Sequence, residues 1–340
     1  MALNVATALA VADPSQVAST RRVVLDFAQH IGFSEERAGR AALVVSELAT
    51  NLTRHAKGGE ILLRPIHRDN SAREAEGIEI LALDSGPGMA DVAMARRDGY
   101  STAGTLGHGL GSVERQSDFF QIYSQPSGTV ILSQLWSQRP PIAEQQPRYQ
   151  IGAVCVSHPS EEICGDAWGW TMRDDRFAIM VADGLGHGLS AHEAAAAAID
   201  VFHRAHEEAP SRVIGDVHAA LRSTRGAAVA EVAVDMARGI ASFCGLGNVA
   251  AVIVDANSRR HGMISQNGTA GHVASRIHEF SYPVPSRSLI LMFSDGLASQ
   301  WDLASYPGLT TRHASIIAGV LYRDFSRRRD DVTVVVAKGR

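Results

Sequence analysis

Twice in the second half of this chain an apolar run stops at Asp-Gly. Phe177–Ala182 is followed by Asp183 and Gly184, and Leu289–Phe293 is followed by Ser294, Asp295 and Gly296. A short, continuous apolar run bounded by turn residues reads as a buried strand, so each aspartate stands where a strand leaves a core. Asp166, in C-G-D-A-W, and Asp330-Asp331, just ahead of the last apolar run V-T-V-V-V, repeat the theme. A single Asp-Gly is ordinarily only a turn. Several aspartates placed around buried strands instead predict a cluster of carboxylates for hard divalent cations, since Mg2+ and Mn2+ prefer octahedral oxygen sites. Two such ions about 4 Å apart hold a water that attacks a phosphate in line, with no cysteine or histidine nucleophile needed.

The chain has 340 residues, of which 45% are hydrophobic. That length favours two domains, and the composition lets each half bury a core. The stretch from Gln138 to Gln150, Q-R-P-P-I-A-E-Q-Q-P-R-Y-Q, holds three prolines between strand-like runs and reads as a linker. The expected division is a first domain over 1–137, a linker over 138–149 and a second domain over 150–340. The first half reads as two helices, about Ser15–His30 and 35–56, then strands near 60–66 and 77–83, a short helix over 109–117, and strands near 119–124 and 128–135. The second half reads as strands near 150–157 and 177–182, helices over about 189–207 and 211–224, then strands near 240–246, 249–255, 289–294 and 332–337. Helix blocks between strand blocks predict a layered α+β sandwich.

Three segments of the first half converge on nucleotide chemistry. In S-E-L-A-T-N-L-T-R-H-A, Glu47, Asn51 and His55 fall at i, i+4 and i+8, along one helix face and away from apolar Val44, Val45, Leu48 and Leu52. An Asn carbonyl oxygen suits Mg2+, and a nearby Glu is placed to orient or deprotonate an attacking hydroxyl. In L-A-L-D-S-G-P-G-M, Asp84 ends an apolar strand and is placed to accept from an adenine amino group. In G-T-L-G-H-G-L-G, the glycines let backbone N–H groups approach phosphates at a helix start. The segment between the glycine boxes, about 89–106, is expected to form a small lid. There is no P-loop signature and no G-x-G-x-x-G after a strand.

Order and spacing together make residues 5–136 resemble the GHKL (Bergerat-fold) ATPases, most of all the serine kinases that phosphorylate anti-sigma-factor antagonists in bacterial partner switching. The resemblance implies an α/β sandwich that binds ATP. In it Glu47 matches the catalytic base, Asn51 the Mg2+ ligand and Asp84 the adenine reader. Gly86, Gly88, Gly107, Gly109 and Gly111 match the nucleotide loops, and Thr129 matches a residue supporting adenine. Residues 150–338, with D-G-L-G-H-G as the most specific phrase, resemble the PPM-type phosphatases of the SpoIIE family, which implies an αββα sandwich. By that resemblance Asp183 bridges two metals, Gly184 lends a carbonyl, and Asp166, Asp295 and Asp330 complete the set. Asp331 is placed to orient its neighbour. His187, between two glycines, reads as a loop residue ahead of a catalytic acid, and Trp168 and Trp170 as packing.

Charge is nearly balanced, 32 Lys+Arg against 36 Asp+Glu, which excludes the basic face of a nucleic-acid binder and leaves no polybasic membrane patch. No apolar run reaches the roughly 18 residues of a membrane span. The apolar first twelve residues lack a basic n-region, so a buried first strand is expected there in place of a signal peptide. Three cysteines at unrelated spacings indicate neither a disulfide framework nor a zinc site, and the expected compartment is the reducing cytoplasm.

The leading expectation is a bifunctional enzyme, a serine/threonine kinase joined to a metal-dependent phosphatase. By resemblance its partner is a STAS-domain anti-sigma antagonist or a stressosome-like scaffold protein, with ATP, Mg2+ and Mn2+ as cofactors and homodimerisation open to the first domain. Two other readings stand beside it: a phosphatase governed by an ATP sensor that transfers nothing, and a non-enzymatic anti-sigma-type binding module.

Overall fold

A computed structural model describes residues 4–67, 76–96, 109–138, 148–205, 207–274 and 276–339. The chain forms two compact units, one over Ala6–Gln146 and the other over Pro147–Arg340 together with the residues up to Val5.

The Ala6–Gln146 unit is a five-stranded antiparallel sheet under helices. Its elements are β1 (Thr7–Val11), α1 (Ser15–His30), α2 (Glu35–His55), β2 (Gly59–Ile66), β3 (Gly77–Asp84), α3 (Val92–Ala95), α4 (Gly109–Gln116), β4 (Phe119–Gln125) and β5 (Gly128–Trp136). The strand order is β1-β2-β3-β5-β4. Ser34 caps α2 by accepting from the Arg37 N–H at 3.3 Å, as its sequence position suggests. The apolar stripe of α2 (Val44, Val45, Leu48, Leu52) is buried against Ile61, Leu63, Ile80 and Ile131 of the sheet, leaving Glu47, Asn51 and His55 at the surface or half-buried. The expected buried first strand is a strand, but it forms the sheet's edge and buries only Val11 fully.

The second unit stacks two five-stranded antiparallel sheets between helices. It comprises β6 (Tyr149–Val156), β7 (Asp166–Arg173), β8 (Arg176–Gly184), α5 (Leu189–Ala205), α6 (Pro210–Ala220), β9 (Ala227–Asp235), β10 (Ile240–Leu246), β11 (Ala250–Val254), β12 (Arg260–Met263), β13 (Phe280–Pro283), β14 (Leu289–Phe293), α7 (Ala314–Phe325) and β15 (Val332–Gly339). The sheet orders are β13-β10-β9-β8-β7 and β12-β11-β14-β15-β6. Alternate residues of both sheets meet in one core, including Trp168, Phe177, Ile179, Val232, Ile253, Met292 and Val335, as stacked sheets require. On the outer face of the first sheet, Ala178, Met180 and Val229 bury under Ala198, Phe202 and Val213 of α5 and α6. On the second sheet, α7 lies flush on β6: a Cβ at Gly152 would stand 1.9 Å from the Ser315 nitrogen. Val5 packs on the core between the sheets, and the Asn4 carbonyl accepts from Trp168 Nε1 at 3.0 Å.

No helix among the described residues is long and apolar enough to cross a membrane. Most of the expected linker (139–147), most of the expected lid (97–106) and Gly107 lie outside the described residues.

Candidate nucleotide site and candidate metal centre

In the Ala6–Gln146 unit, Asp84 ends β3 directly opposite Thr129 of β5. Its Oδ1 accepts from the Gly86 N–H at 2.8 Å and the Thr129 N–H at 3.2 Å. The carboxylate is therefore locked in place by the backbone on both sides. Thr129 is buried, and its hydroxyl lies 2.8 Å from Ser124 Oγ, which in turn accepts from the Met89 N–H at 2.8 Å. Sequence reasoning passed over Ser124, whose hydroxyl ties the Gly86–Met89 turn to the β4–β5 hairpin.

Two glycines are demanded by close approach. Gly88 has φ +70°, and a Cβ there would stand 2.0 Å from the Gln125 carbonyl oxygen. A Cβ on Gly86 would press on Ala56, at the end of α2, at 2.9 Å. The turn after β3 is thereby seated between α2 and the hairpin. Gly109 opens α4 beside Asn51, whose Oδ1 lies 3.9 Å from the position of a Cβ on that glycine, and Gly111 is buried in the same helix. Asp84, Asn51 and the α4 glycines thus stand around the C-terminal half of α2, with backbone N–H groups at a helix start suited to anionic charge.

In the second unit the register of β7 and β8 sets Asp166 and Asp183 as direct cross-strand partners. Like charges opposite one another destabilise a sheet, and here burial adds to the repulsion. Burial first, then Asp166, Asp295, Asp330 and Asp331, push the Asp183 carboxyl up to about 9. Asp166, almost wholly buried, is pushed up to about 7 by burial, against hydrogen bonds from Ser294 and Thr333. Burial and Asp330 raise Asp295. The four sequence-predicted aspartates are therefore electrostatically one group, and Asp331 joins it.

The supporting atoms come from segments distant in sequence. Ser294 Oγ donates to Asp166 Oδ2 at 2.6 Å and accepts from the Thr333 N–H at 2.9 Å. Asn248 Nδ2 donates to Asp295 Oδ2 at 2.7 Å. Asp331 Oδ1 accepts from the His158 N–H at 2.8 Å, while its buried Oδ2 has no partner. Sequence reasoning missed Asn248 and Ser294. Ser294 had a signal, standing next to Asp295, whereas nothing local marks Asn248. His187 is turned to local company, with Nδ1 2.6 Å from Glu161 Oε1 and its ring stacked on His158 at 5.0 Å. Close approach again fixes the glycines. A Cβ on Gly184 would meet the Ala191 carbonyl oxygen of α5 at 2.1 Å, and one on Gly296 would meet that of Asp331 at 2.0 Å.

Among the described residues, no three His, Cys, Asp or Glu side chains are drawn close enough to hold a metal ion as placed. The donor set nonetheless fits a hard cation: all are oxygens, their mutual repulsion is only partly offset by Arg327 and by hydrogen bonds from Ser294, Thr333 and Asn248, and one buried oxygen, on Asp331, is orphaned. Such features mark sites where a bound cation supplies the largest local charge.

A GHKL-type ATPase fold in one unit and the fold of the PPM-type serine/threonine phosphatases in the other define the class. The histidine kinase-like ATPase domain family matches residues 10–134, and the stage II sporulation protein E (SpoIIE) family matches residues 173–340. The serine/threonine-protein kinase RsbT of Bacillus subtilis (strain 168) is 33% identical over 121 residues, which cover 35% of this chain and 88% of that protein. The chain belongs, through its first unit, to the histidine kinase-like ATPase family of RsbT. The phosphoserine phosphatase RsbX of the same strain is 27% identical over 106 residues, 31% of this chain and about half, 53%, of that protein. A crystal structure of RsbX in complex with magnesium shares the fold at TM-score 0.52 and 22% identity, covering 58% of this chain and 98% of that one.

Proposed function

We propose that this chain both writes and erases a phosphate on serine or threonine of a partner protein. The first unit transfers the phosphate from ATP and the second removes it. The reading takes the domain limits expected from sequence, 1–137 and 150–340 about a 138–149 linker, beside compact units that divide after Gln146 and return the residues up to Val5 to the second, and it takes the cytoplasm as the compartment. The observation that carries the reading is the aspartate group: Asp166 and Asp183 paired across two strands, with Asp295, Asp330 and Asp331 within electrostatic reach of Asp183.

In the second unit, Asp166, Asp183, Asp295, Asp330 and the Gly184 carbonyl would hold Mg2+ or Mn2+. Bound there, the cations supply a water nucleophile at neutral pH and neutralise phosphoryl charge. Ser294 and Asn248 fix the rotamers of Asp166 and Asp295, and Asp331 anchors the loop through His158. In the first unit, Asp84 would read adenine, Asn51 would ligate Mg2+, and Gly86, Gly88, Gly107, Gly109 and Gly111 would shape the phosphate loops. Thr129 would support the base, and Glu47 would take the proton from the acceptor hydroxyl. Phosphoryl transfer needs positioning and charge neutralisation more than covalent help, which suits a site built from backbone and few side chains. Likeness to RsbT and RsbX supports a STAS-domain antagonist or a stressosome-like scaffold as the partner, and homodimerisation through the first unit belongs to the same reading.

The test uses the full chain with γ-labelled ATP and a candidate STAS protein. The Asp183→Asn chain should accumulate label on the partner. Wild-type chain with Mn2+ or Mg2+ should then remove it, and Glu47→Ala should never write it. An Asp183→Asn chain that erases label at the wild-type rate would refute the metal-site reading. Absence of label with every STAS protein tried, alongside ATP-dependent dephosphorylation, would replace the kinase with an ATP sensor.

A further inference from the structure

At the end of β8 opposite Asp183, the outer face of the first sheet is left open beyond α6. Two registered rows cross it there. Arg176, Asp235 and Ile240 form the outer row, and Ala178, Ala233, Ser242 and Ser281 the next one in. The small side chains of the inner row leave room for a cavity of about 480 Å³, lined by Arg176, Ala233, Asp235, Arg238, Ile240, Ser242 and Ser281. Arg238 arrives from the β9–β10 turn, which closes through Asp235 Oδ1 accepting the Ala237 and Arg238 N–H groups at 3.1 and 2.9 Å. The one acidic group of the lining thus has Oδ1 committed to the turn. Arg176 donates to the Glu208 carbonyl. Among the described residues, no protein partner faces the Arg238 guanidinium or the Ser242 and Ser281 hydroxyls.

Glu231 lies one row further in, opposite Cys244 and Met180, and both of its oxygens are buried without partners. Burial, against the attraction of Arg176, pushes its carboxyl up to about 8, which favours the neutral form. The cavity therefore offers the Arg238 guanidinium and two hydroxyls, with the engaged Arg176 adding positive charge at its edge and Asp235 as its one carboxylate. That is the donor set that holds phosphate oxygens, through charge-assisted and forked hydrogen bonds. The nine residues of β8, at about 3.3 Å each, separate this cavity from the metal centre.

We propose that this cavity is a second, non-catalytic binding site for a phosphoryl dianion, supplied either as free phosphate or as the phosphate of a phosphorylated side chain. It stands independently of the kinase and phosphatase reading.

The experiment is calorimetric titration of the full chain carrying Asp183→Asn, in chelator, so that the metal centre takes no phosphate. One arm uses inorganic phosphate, and another a phosphoserine peptide with its unphosphorylated twin. Saturable one-to-one binding with Kd of about 1 mM or tighter is expected. Arg238→Ala should weaken it by about tenfold or more, Ser242→Ala should weaken it less, and Arg238→Lys should restore part of the loss. Tighter binding of the phosphopeptide than of phosphate names a phosphorylated side chain as the source, and equal binding names free phosphate. No saturation in either arm, or binding indifferent to both Arg238→Ala and Ser242→Ala in chains of unchanged circular dichroism, overturns the site.

Discussion

Ser294 shows how much one hydroxyl does at the metal centre. It holds Asp166 and the backbone of Thr333 at once, so it fixes one proposed ligand and the start of the strand that follows another, Asp330. Groups that orient metal ligands are worth about 10–100-fold in affinity or activity. Ser294→Ala should therefore raise the Mg2+ or Mn2+ concentration needed for half-maximal dephosphorylation by about that factor, with saturating rates restored at high metal; unchanged metal dependence would remove Ser294 from the site. Glu231 makes a different prediction. The fold holds its proton up to about 8, while the unfolded chain releases it near 4.5. Between those values the folded chain binds the extra proton, so this carboxyl's contribution to stability is complete below about 4.5 and is lost as pH rises towards 8. Glu231→Gln should flatten that decline and raise Tm at about pH 8 by roughly 2–4 °C for each kcal/mol relieved, as read by thermal melts at several pH values. Arg176 works against the decline by attraction, and Glu279 works with it.

Whole elements meet at glycines, and these contacts separate the two sites. Gly184→Ala would set a methyl against the Ala191 carbonyl of α5. The strand or the helix must then shift, at a cost of about 1–3 kcal/mol. Phosphatase activity should fall steeply while nucleotide affinity stays at the wild-type value. Gly88→Ala, strained by its φ of +70° and blocked by the Gln125 carbonyl, should do the converse, and fluorescent-nucleotide titration beside a phosphatase assay checks both. Elements with a clear period or cap were legible in the sequence: α1, α2 and its Ser34 cap, and the strands running into Asp84, Asp183 and Asp295. Others were not, for physical reasons. β9, A-A-V-A-E-V-A-V-D, is buried on both faces, so it lacks the alternation that marks a strand and its alanines favour helix. α7 is buried all along Ala314–Tyr322, which erases the amphipathic stripe that reveals a helix. β7 follows a turn-rich stretch and carries Gly169 and Asp166 itself, so it was passed over as a turn. Asp183, Asp295, Asp330 and Asp331 could be named from sequence because they stand beside apolar runs, and Asp166 through C-G-D-A-W and the family resemblance. Their pairing across β7 and β8 depends on register, which no local pattern fixes.

The molecule as a whole contains separate cores, one behind α2 and others around the stacked sheets. Thermal unfolding of the full chain should therefore show two transitions. A non-hydrolysable ATP analogue at about 100 times its Kd should stabilise the unit that binds it by about 2.7 kcal/mol, moving one transition and leaving the other in place. A single transition that moves as one would tie the cores together energetically and sink this expectation. The path of the chain through these cores also sets an order in time. The sheet of the first unit is complete once β5 ends at Trp136, whereas β6 waits for β15, its partner strand, and Asp330 and Asp331 arrive only just before it. At about 5–20 residues per second, a ribosome finishes the nucleotide-binding sheet roughly 10–40 s before it has made the last aspartates of the metal centre. Every newly made molecule therefore passes through a period in which the sheet of the first unit is whole and the aspartate group of the second is still short of two members.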